Sequence, residues 1–250
     1  MRSADVDIVA EGVFRLHRAD VNCYLVVADE GIVLIDAGLP RTWPRLTGAL
    51  ASVGATPADL AGVVLTHGHF DHVGMCDRLS SEHHVATHVH EKDQRLARHP
   101  YRYSHEAPRT PYPFRHPAAI PTLARMTAAG ALWVKGVQAH ADVMPGTRLD
   151  LPGDLIPVWS PGHTAGHCGY LMEDRGILFS GDALVTLDPY TGERGPRIVA
   201  GAATADSGAA LTALDALAAT GAALVLPGHG EPHADGIETA ARRAREAGPS

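Results

Sequence analysis

Residues 62–72 read Gly-Val-Val-Leu-Thr-His-Gly-His-Phe-Asp-His, an apolar run that ends in four potential metal ligands. Gly62 to Thr66 has the length and β-branched content of a buried strand. His67 and His69 flank Gly68, so a tight turn at the strand exit can aim both imidazoles at one point. Asp71 and His72 are adjacent, and on an irregular loop they can address a second point beside the first. Zinc takes imidazole nitrogen and carboxylate oxygen at roughly 2.0–2.2 Å, usually in tetrahedral geometry. A single histidine pair is more often a solvated surface feature. Four donors packed behind a buried strand predict a metal site.

Three other turns have the same form. Ser160-Pro161-Gly162-His163 follows the apolar run 154–160, Ser180-Gly181-Asp182 follows the run 175–180, and Pro227-Gly228-His229 follows the run 223–227. Each places one His or Asp just beyond a strand and beside a glycine. Any one of them reads equally well as an ordinary turn; together, after HGHFDH, they read as the rest of a ligand set.

The chain divides into two similar halves. Val13 to His17, Cys23 to Val27 and Ile32 to Ile35 read as strands, followed by a helix capped by Thr42 with Leu46, Leu50 and Val53 on its apolar face. The strand 62–66 then leads into HGH. In the second half, strands at 154–160, 169–172 and 175–180 precede a helix capped by Thr204 with Leu211, Leu214 and Leu217 inward, and the strand 223–227 leads into GHG. A duplication of this kind predicts an α+β fold, a four-layer αββα sandwich with two sheets face to face and helices outside. The expectation is one domain over 1–250 with an inserted segment at about 99–150, in which 122–131 and 132–139 read as short helices. The C-terminal run 237–248 reads as a surface helix and the final Pro-Ser as a frayed end.

The inserted segment is rich in proline, aromatics and histidine without a clear period, which suggests a pocket wall or lid. Tyr101, Tyr103, Tyr112, Phe114 and Trp133 offer apolar faces, and Arg102, Arg109 and Arg115 suit a carboxylate or phosphate. Tyr112, Phe114, Trp133 and Tyr190 are the candidate substrate-pocket residues. The same aromatics would also suit an interface in a homo-oligomer.

Composition narrows the class of partner. The chain has 250 residues, 45% hydrophobic and 20% charged, which is ordinary for a globular protein. A net charge of −7 gives no electrostatic reason to expect nucleic acid, so a small-molecule substrate is expected. Cys23, Cys76 and Cys168 share no CxxC spacing, and acidic residues Asp5, Asp7 and Glu11 stand where a signal peptide needs an apolar run. No run approaches the roughly 20 apolar residues of a membrane span. A reduced, cytoplasmic protein is the expectation. Of the sixteen histidines, His17, His83, His84, His99 and His105 fall in no ligand-like pattern.

THGHFDH, PGHTAGH, SGDA and PGHG, in that order, resemble the metal motifs of the metallo-β-lactamase superfamily, and LIDAG at 34–38 is similar to its early strand-end aspartate motif. The resemblance runs from residue 13 to about 233. It implies that His67, His69 and His163 hold one ion, that Asp71, His72 and His229 hold a second, and that Asp182 bridges them. Asp36 and His167 would orient these ligands from behind. It implies two Zn2+ ions, with iron or manganese as substitutes, and a zinc-dependent hydrolase in which a bridging hydroxide attacks an ester, thioester, lactone or related bond while Asp71 orients it and carries its proton. Class B β-lactamases are a poor match, since most carry a cysteine ligand where this chain has Asp182. Glyoxalase II-like thioesterases and acyl-homoserine lactonases share the ligand set, although the lactonases usually have a tyrosine where this chain has Val185, with Tyr190 further on. The alternatives are a mononuclear iron persulfide dioxygenase of the same superfamily, which the retention of Asp71, His72 and His229 disfavours, and a non-catalytic binding protein.

Overall fold

A computed structural model describes residues 6–250 of the chain. Asp5, part of the N-terminal stretch read above, lies outside the described residues. Strands β1 (Val6–Ala10), β2 (Val13–Arg18), β3 (Val21–Ala28) and β4 (Gly31–Ile35) form an antiparallel meander. Helix α1 (Trp43–Ser52) then crosses over so that β5 (Leu60–Val64) lies parallel to β4. Helix α2 (Cys76–His83) leads to the two-residue β6 (Thr87–His88), parallel to β5, completing a sheet in the order β1-β2-β3-β4-β5-β6.

Short helices α3 (Gln94–Arg98), α4 (Tyr112–Arg115) and α5 (Ile120–Ala128) lead towards the second half. There β7 (Leu155–Trp159), β8 (Cys168–Met172) and β9 (Ile177–Gly181) repeat the antiparallel meander. A small hairpin of β10 (Val185–Leu187) and β11 (Arg194–Arg197) precedes α6 (Ser207–Ala218). After it, β12 (Leu224–Pro227) pairs parallel with β9, giving the order β12-β9-β8-β7, and α7 (Ile237–Ala247) follows. The duplication read from the sequence is therefore topological: a meander, a crossover helix, and a parallel strand that ends at ligand-type histidines.

Strand alternation builds the layers. In β3, Tyr24 and Val26 join Phe179, Tyr170, Ile177 and Leu226 in a core between the sheets, while Cys23 and Leu25 point the other way to meet Leu46, Leu50 and Leu79 of α1 and α2. On the far side, Leu178 and Val225 pack against Leu214 and Leu217 of α6 and the alanine face of α7. The order helix, sheet, sheet, helix is the expected four-layer sandwich. Full burial of side chains such as Leu34 and Phe179 contributes about 1.5–3 kcal/mol each by removal from water.

Several local expectations need correction. Val53 is 38% exposed, past the end of α1. Thr42 makes no capping bond, and the helix begins with Trp43 followed by Pro44 in its first turn. The cap of α6 is Asp206, whose side chain accepts from Ala209 N; Thr204 is buried elsewhere. Residues 132–139 are not helical, because their backbone docks on neighbouring segments: Val137 N bonds Ala97 O at 3.0 Å. Helix α7 buries Ile237, Ala240, Ala241 and Ala244. Ser250 O accepts from Gly201 N and from the Tyr112 hydroxyl, both at 2.9 Å, so Pro-Ser is docked. The three cysteines are buried free thiols, and among the described residues no helix is long and apolar enough to cross a membrane.

Candidate metal centre

The strand exits of both sheets meet at one edge. Val21 pairs with His229 as an isolated bridge, and Asn22 N donates to Gly228 O at 2.8 Å, so the first half holds the last ligand-type turn in place. Asn22 Nδ2 adds bonds to Pro227 O at 2.9 Å and Gly230 O at 2.8 Å. Gly228 is required by proximity: a Cβ there would run into Asp182 Oδ1.

All seven sequence-predicted ligands come together, and all are buried. Three sets have donor atoms within 4.8 Å of one another: His67, His69 and His163; His67, His72 and Asp182; Asp71, His72 and His229. Asp182 therefore stands between the two outer sets. His229 Nε2 lies 3.3 Å from Asp71 Oδ2 and 3.2 Å from Asp182 Oδ2. His163 Nε2 lies 3.5 Å from Asp182 Oδ2, and His72 Nε2 lies 3.5 Å from Asp182 Oδ1. Donors on a tetrahedron with bonds of about 2.05 Å are about 3.3 Å apart, so these separations suit ligands of common ions.

Hydrogen bonding supplies an independent test of fit. His67 Nδ1 meets Thr66 Oγ1 at 3.0 Å, His72 Nδ1 meets Asp36 Oδ2 at 2.9 Å, His163 Nδ1 meets Thr204 Oγ1 at 3.2 Å and His229 Nδ1 meets Asp20 O at 2.9 Å. Each contact engages Nδ1 and turns Nε2 inward. Nε2 of His67, His72 and His229, with Asp182 Oδ1, are buried atoms without a hydrogen-bond partner. Orphaning several converging polar atoms costs about 1–3 kcal/mol apiece unless something binds them. Divalent cations would satisfy these atoms, which belong to the overlapping groups of metal-type donors. His69 differs, because its Nδ1 lies 2.9 Å from His163 Nε2 while its Nε2 is a further buried atom without a partner.

Electrostatics divides the rings. Burial, then the neighbouring imidazoles, holds His67 well below the usual histidine range; burial likewise lowers His69, and takes His163 down to about 4. These rings are neutral at pH 7, as ligands must be. Burial also opposes charge on His72 and His229, yet carboxylates outweigh it: Asp182 and Asp36 raise His72 well above its ordinary value, and Asp182 and Asp71 raise His229 to about 10. Although burial opposes its ionisation, Asp182 stays far below the carboxylate range beside His229 and His72.

Both residues expected behind the ligands are there. Asp36, at φ 56°, accepts from Thr66 N at 2.8 Å and Thr66 Oγ1 at 2.9 Å besides its bond with His72. His167 Nε2 accepts from Asp182 N at 3.0 Å and Ala183 N at 3.2 Å, while its Nδ1 meets Ser160 Oγ at 2.8 Å. Burial lowers His167 to about 3, so the ring is neutral, with its proton on Nδ1. It holds the backbone turn that carries Asp182. The sequence reading missed Asp93, whose buried carboxylate accepts from Gly68 N, Thr164 Oγ1 and Gly166 N and so ties the HGHFDH loop to PGHTAGH. It also missed Asp20 and Thr204, which lie in no ligand motif, and the contact of Ser160 with His167.

The expected substrate-pocket residues divide differently. Phe114 is 88% and Trp133 70% exposed, and among the described residues neither ring packs on a ligand-type histidine. Tyr112 is buried, but beside Ala200, Ala202 and Ser250. Exposed aromatics and centre-facing aromatics cannot be told apart from composition. Tyr103 is the one that stands on the centre, its ring 4.0 Å from that of His69, and Tyr190 reaches it through a hydroxyl–hydroxyl contact of 3.1 Å. Tyr101 stacks on Phe70 of the HGHFDH loop at 5.5 Å.

The sequence model of the metallo-beta-lactamase superfamily matches residues 18–229. The chain belongs to that superfamily. It is 25% identical over 183 residues to the probable metallo-hydrolase YflN of Bacillus subtilis, covering 72% of this chain and 66% of that protein. It is 26% identical over 195 residues to an N-acyl homoserine lactonase of a Bacillus species, covering 68% of this chain and 64% of the lactonase. The chain thus spans just under two thirds of the length of these curated relatives. Among solved structures, the metallo-beta-lactamase family protein TTHA1429 of Thermus thermophilus superposes with a TM-score of 0.68 at 25% identity, over 94% of this chain and 79% of that one. TTHA1623, solved in a di-iron-bound form, superposes with a TM-score of 0.61 at 26% identity, over 90% of this chain and 95% of that one. Membership in this superfamily and the buried His/Asp groups together support use of a divalent metal.

Proposed function

We propose that this protein is a hydrolase that holds two divalent metal ions, zinc in the first instance, and cleaves an ester, thioester or lactone. His67, His69 and His163 would hold one ion, Asp71, His72 and His229 the other, and Asp182 both. The observation that supports the reading is the convergence of these seven buried side chains in three overlapping groups, in which Nε2 of His67, His72 and His229 and Oδ1 of Asp182 have no hydrogen-bond partner. Two such ions would supply Lewis acidity and an ionised water at neutral pH.

The chain's own residues do the rest. Thr66, Asp36, Thr204 and Asp20 fix the tautomers, so the donors are preorganised and little reorganisation accompanies binding. Asp71 Oδ2 faces His229, and its other oxygen, Oδ1, is the base we assign to take the proton of the attacking water and pass it to the leaving group. The Tyr103–Tyr190 pair forms one wall above His69 and can donate to a carbonyl oxygen. Val185, where lactonases usually have a tyrosine, is buried in β10, so any such hydroxyl comes here from Tyr103 or Tyr190. This gives the inserted segment its part in the pocket through residues 101–109. An all-nitrogen-and-oxygen donor set accepts iron or manganese as well as zinc.

The test is a substrate panel with Asp71→Ala beside His99→Ala, an exposed histidine outside the cluster. Asp71→Ala should lower kcat at least about 100-fold, within the range for loss of a general base, while His99→Ala leaves it unchanged. Equal losses would overturn the assignment. His17 is not a neutral control, because its Nδ1 meets Asn22 Oδ1 at 3.0 Å and Asn22 holds the turn of His229.

A further inference from the structure

One cleft of about 300 Å³ opens directly on the proposed centre, with His163 and Tyr103 in its wall. Its other lining residues include Lys92, Arg95 and Arg102 against a single carboxylate, Asp93. Both Asp93 oxygens are engaged by neutral donors, Gly68 N and Thr164 Oγ1 on one and Gly166 N on the other, and Asp93 is ion-paired to none of the three among the described residues. Lys92 Nζ sits 4.5 Å above the Trp159 ring, which steadies the side chain without cancelling its charge. Arg95 and Arg102 have no ion-pair partner among the described residues, and they are the two arginines that line this cleft. A chain of net charge −7 thus gathers three cations at the entrance of its metal centre.

Arg109 and Arg115, grouped with Arg102 from the sequence, are placed otherwise. Arg109 lies over the Tyr103 ring at 4.0 Å and donates to Ala202 O, which holds the tyrosine in place, and Arg115 ends α4 outside the cleft.

We infer that the substrate carries an anionic group, a carboxylate or a phosphate, which Arg95, Arg102 and Lys92 bind while the scissile carbonyl lies beyond Tyr103. This rests on the hydrolase reading above and adds the class of substrate. Guanidinium groups free of protein carboxylates can give a paired, charge-assisted hydrogen bond to either anion. Their field also concentrates anions at the entrance, so the preference weakens as salt rises. Because these side chains are exposed, the effect is modest, about tenfold in kcat/KM at low ionic strength.

The experiment compares three acetyl thioesters on the zinc-loaded protein: those of 3-mercaptopropionate, of 2-mercaptoethyl phosphate, and of the neutral 3-mercaptopropionamide. Binding of 3-acetamidopropionate, the unreactive amide analogue of the first, is measured alongside by calorimetry. The wild type should prefer at least one anionic thioester over the neutral one by about tenfold, and which of the two is preferred identifies the group. In the double variant Arg95→Gln, Arg102→Gln, that ratio should fall to within about threefold, with a matching loss of 3-acetamidopropionate binding. Each ratio is internal to one protein, so a general loss of activity cancels. Arg242→Gln on α7 should keep the ratio. Hydrolysis of all three thioesters without anionic preference would overturn the inference and leave the hydrolase reading intact. Hydrolysis of none would count against the hydrolase reading, and the calorimetry would still decide the cleft: analogue binding that the double variant does not weaken would overturn it.

Discussion

Replacing Asp36 by Asn isolates one role of one carboxylate. Asp36 sits in the left-handed region at φ 56°, which asparagine tolerates about as well as aspartate, so the backbone is unaffected. What changes is the acceptor. Asp36 receives three bonds, from Thr66 N, Thr66 Oγ1 and His72 Nδ1, at 2.8, 2.9 and 2.9 Å. An amide offers one oxygen, so its NH2 must face either Thr66 N–H or the pair of Thr66 Oγ1 and His72 Nδ1. If it keeps the bond from Thr66 N, the His72 N–H loses a charge-assisted partner and faces another donor. Losing such a bond in a buried site costs about 1.5–3 kcal/mol, which is about 10- to 100-fold in affinity for the ion that His72 holds. Titration of zinc-depleted protein against a chelator of known affinity should resolve two binding steps. The step assigned to Asp71, His72 and His229 should weaken by that factor, and the other, which Asp36 reaches only through Thr66 Oγ1 and His67, should weaken less. Circular dichroism should confirm the native fold. Equal weakening of both steps, or of neither, would refute the claim that Asp36 acts through His72.

Two other expectations follow from the same contacts. His167→Ala leaves the buried N–H of Asp182 without an acceptor and Ala183 N with only its 3.3 Å bond to Ser180 O, so it should destabilise the fold by about 1–3 kcal/mol and lower occupancy of both ions, read by denaturant melts and elemental analysis. In protein stripped by a chelator, His229 is raised from 6.5 to about 10 and His72 is raised as well, so both are protonated at pH 7.5. Their protonation therefore stabilises the stripped protein fully below about pH 6.5 and ceases to do so as pH rises through about 10. Metal must displace those protons: calorimetry of zinc binding in buffers of different ionisation enthalpy should report about one proton released from each, and no release would contradict the geometry.

The candidate ligands are far more legible in the sequence than what surrounds them. HGHFDH and the three glycine turns are legible because apolar runs and glycines mark where a strand stops and a side chain can turn inward, and the crossover helices are legible by their period. Asp93, Asp20 and Thr204 were not, since each acts on a residue more than twenty positions away and carries no local pattern. Strands β1 and β6 escaped for a related reason: β1 lies at an edge with a half-exposed face, and β6 is two residues long. In 132–139, apolar spacing suggested a helix, but Gly136 lies so close to the Arg98 carbonyl that the docked, extended path wins. The aromatics of 99–150 were visible, but not which way they face, because that depends on how the segment packs.

The central claim is that one buried carboxylate, Asp182, joins two complete ligand sets. Elemental analysis of protein purified without added metal, beside Asp182→Ala, tests it most directly. The wild type should hold about two ions per chain, falling to one or fewer in the variant. A wild type that binds a single iron, and consumes oxygen with a persulfide substrate, would contradict it.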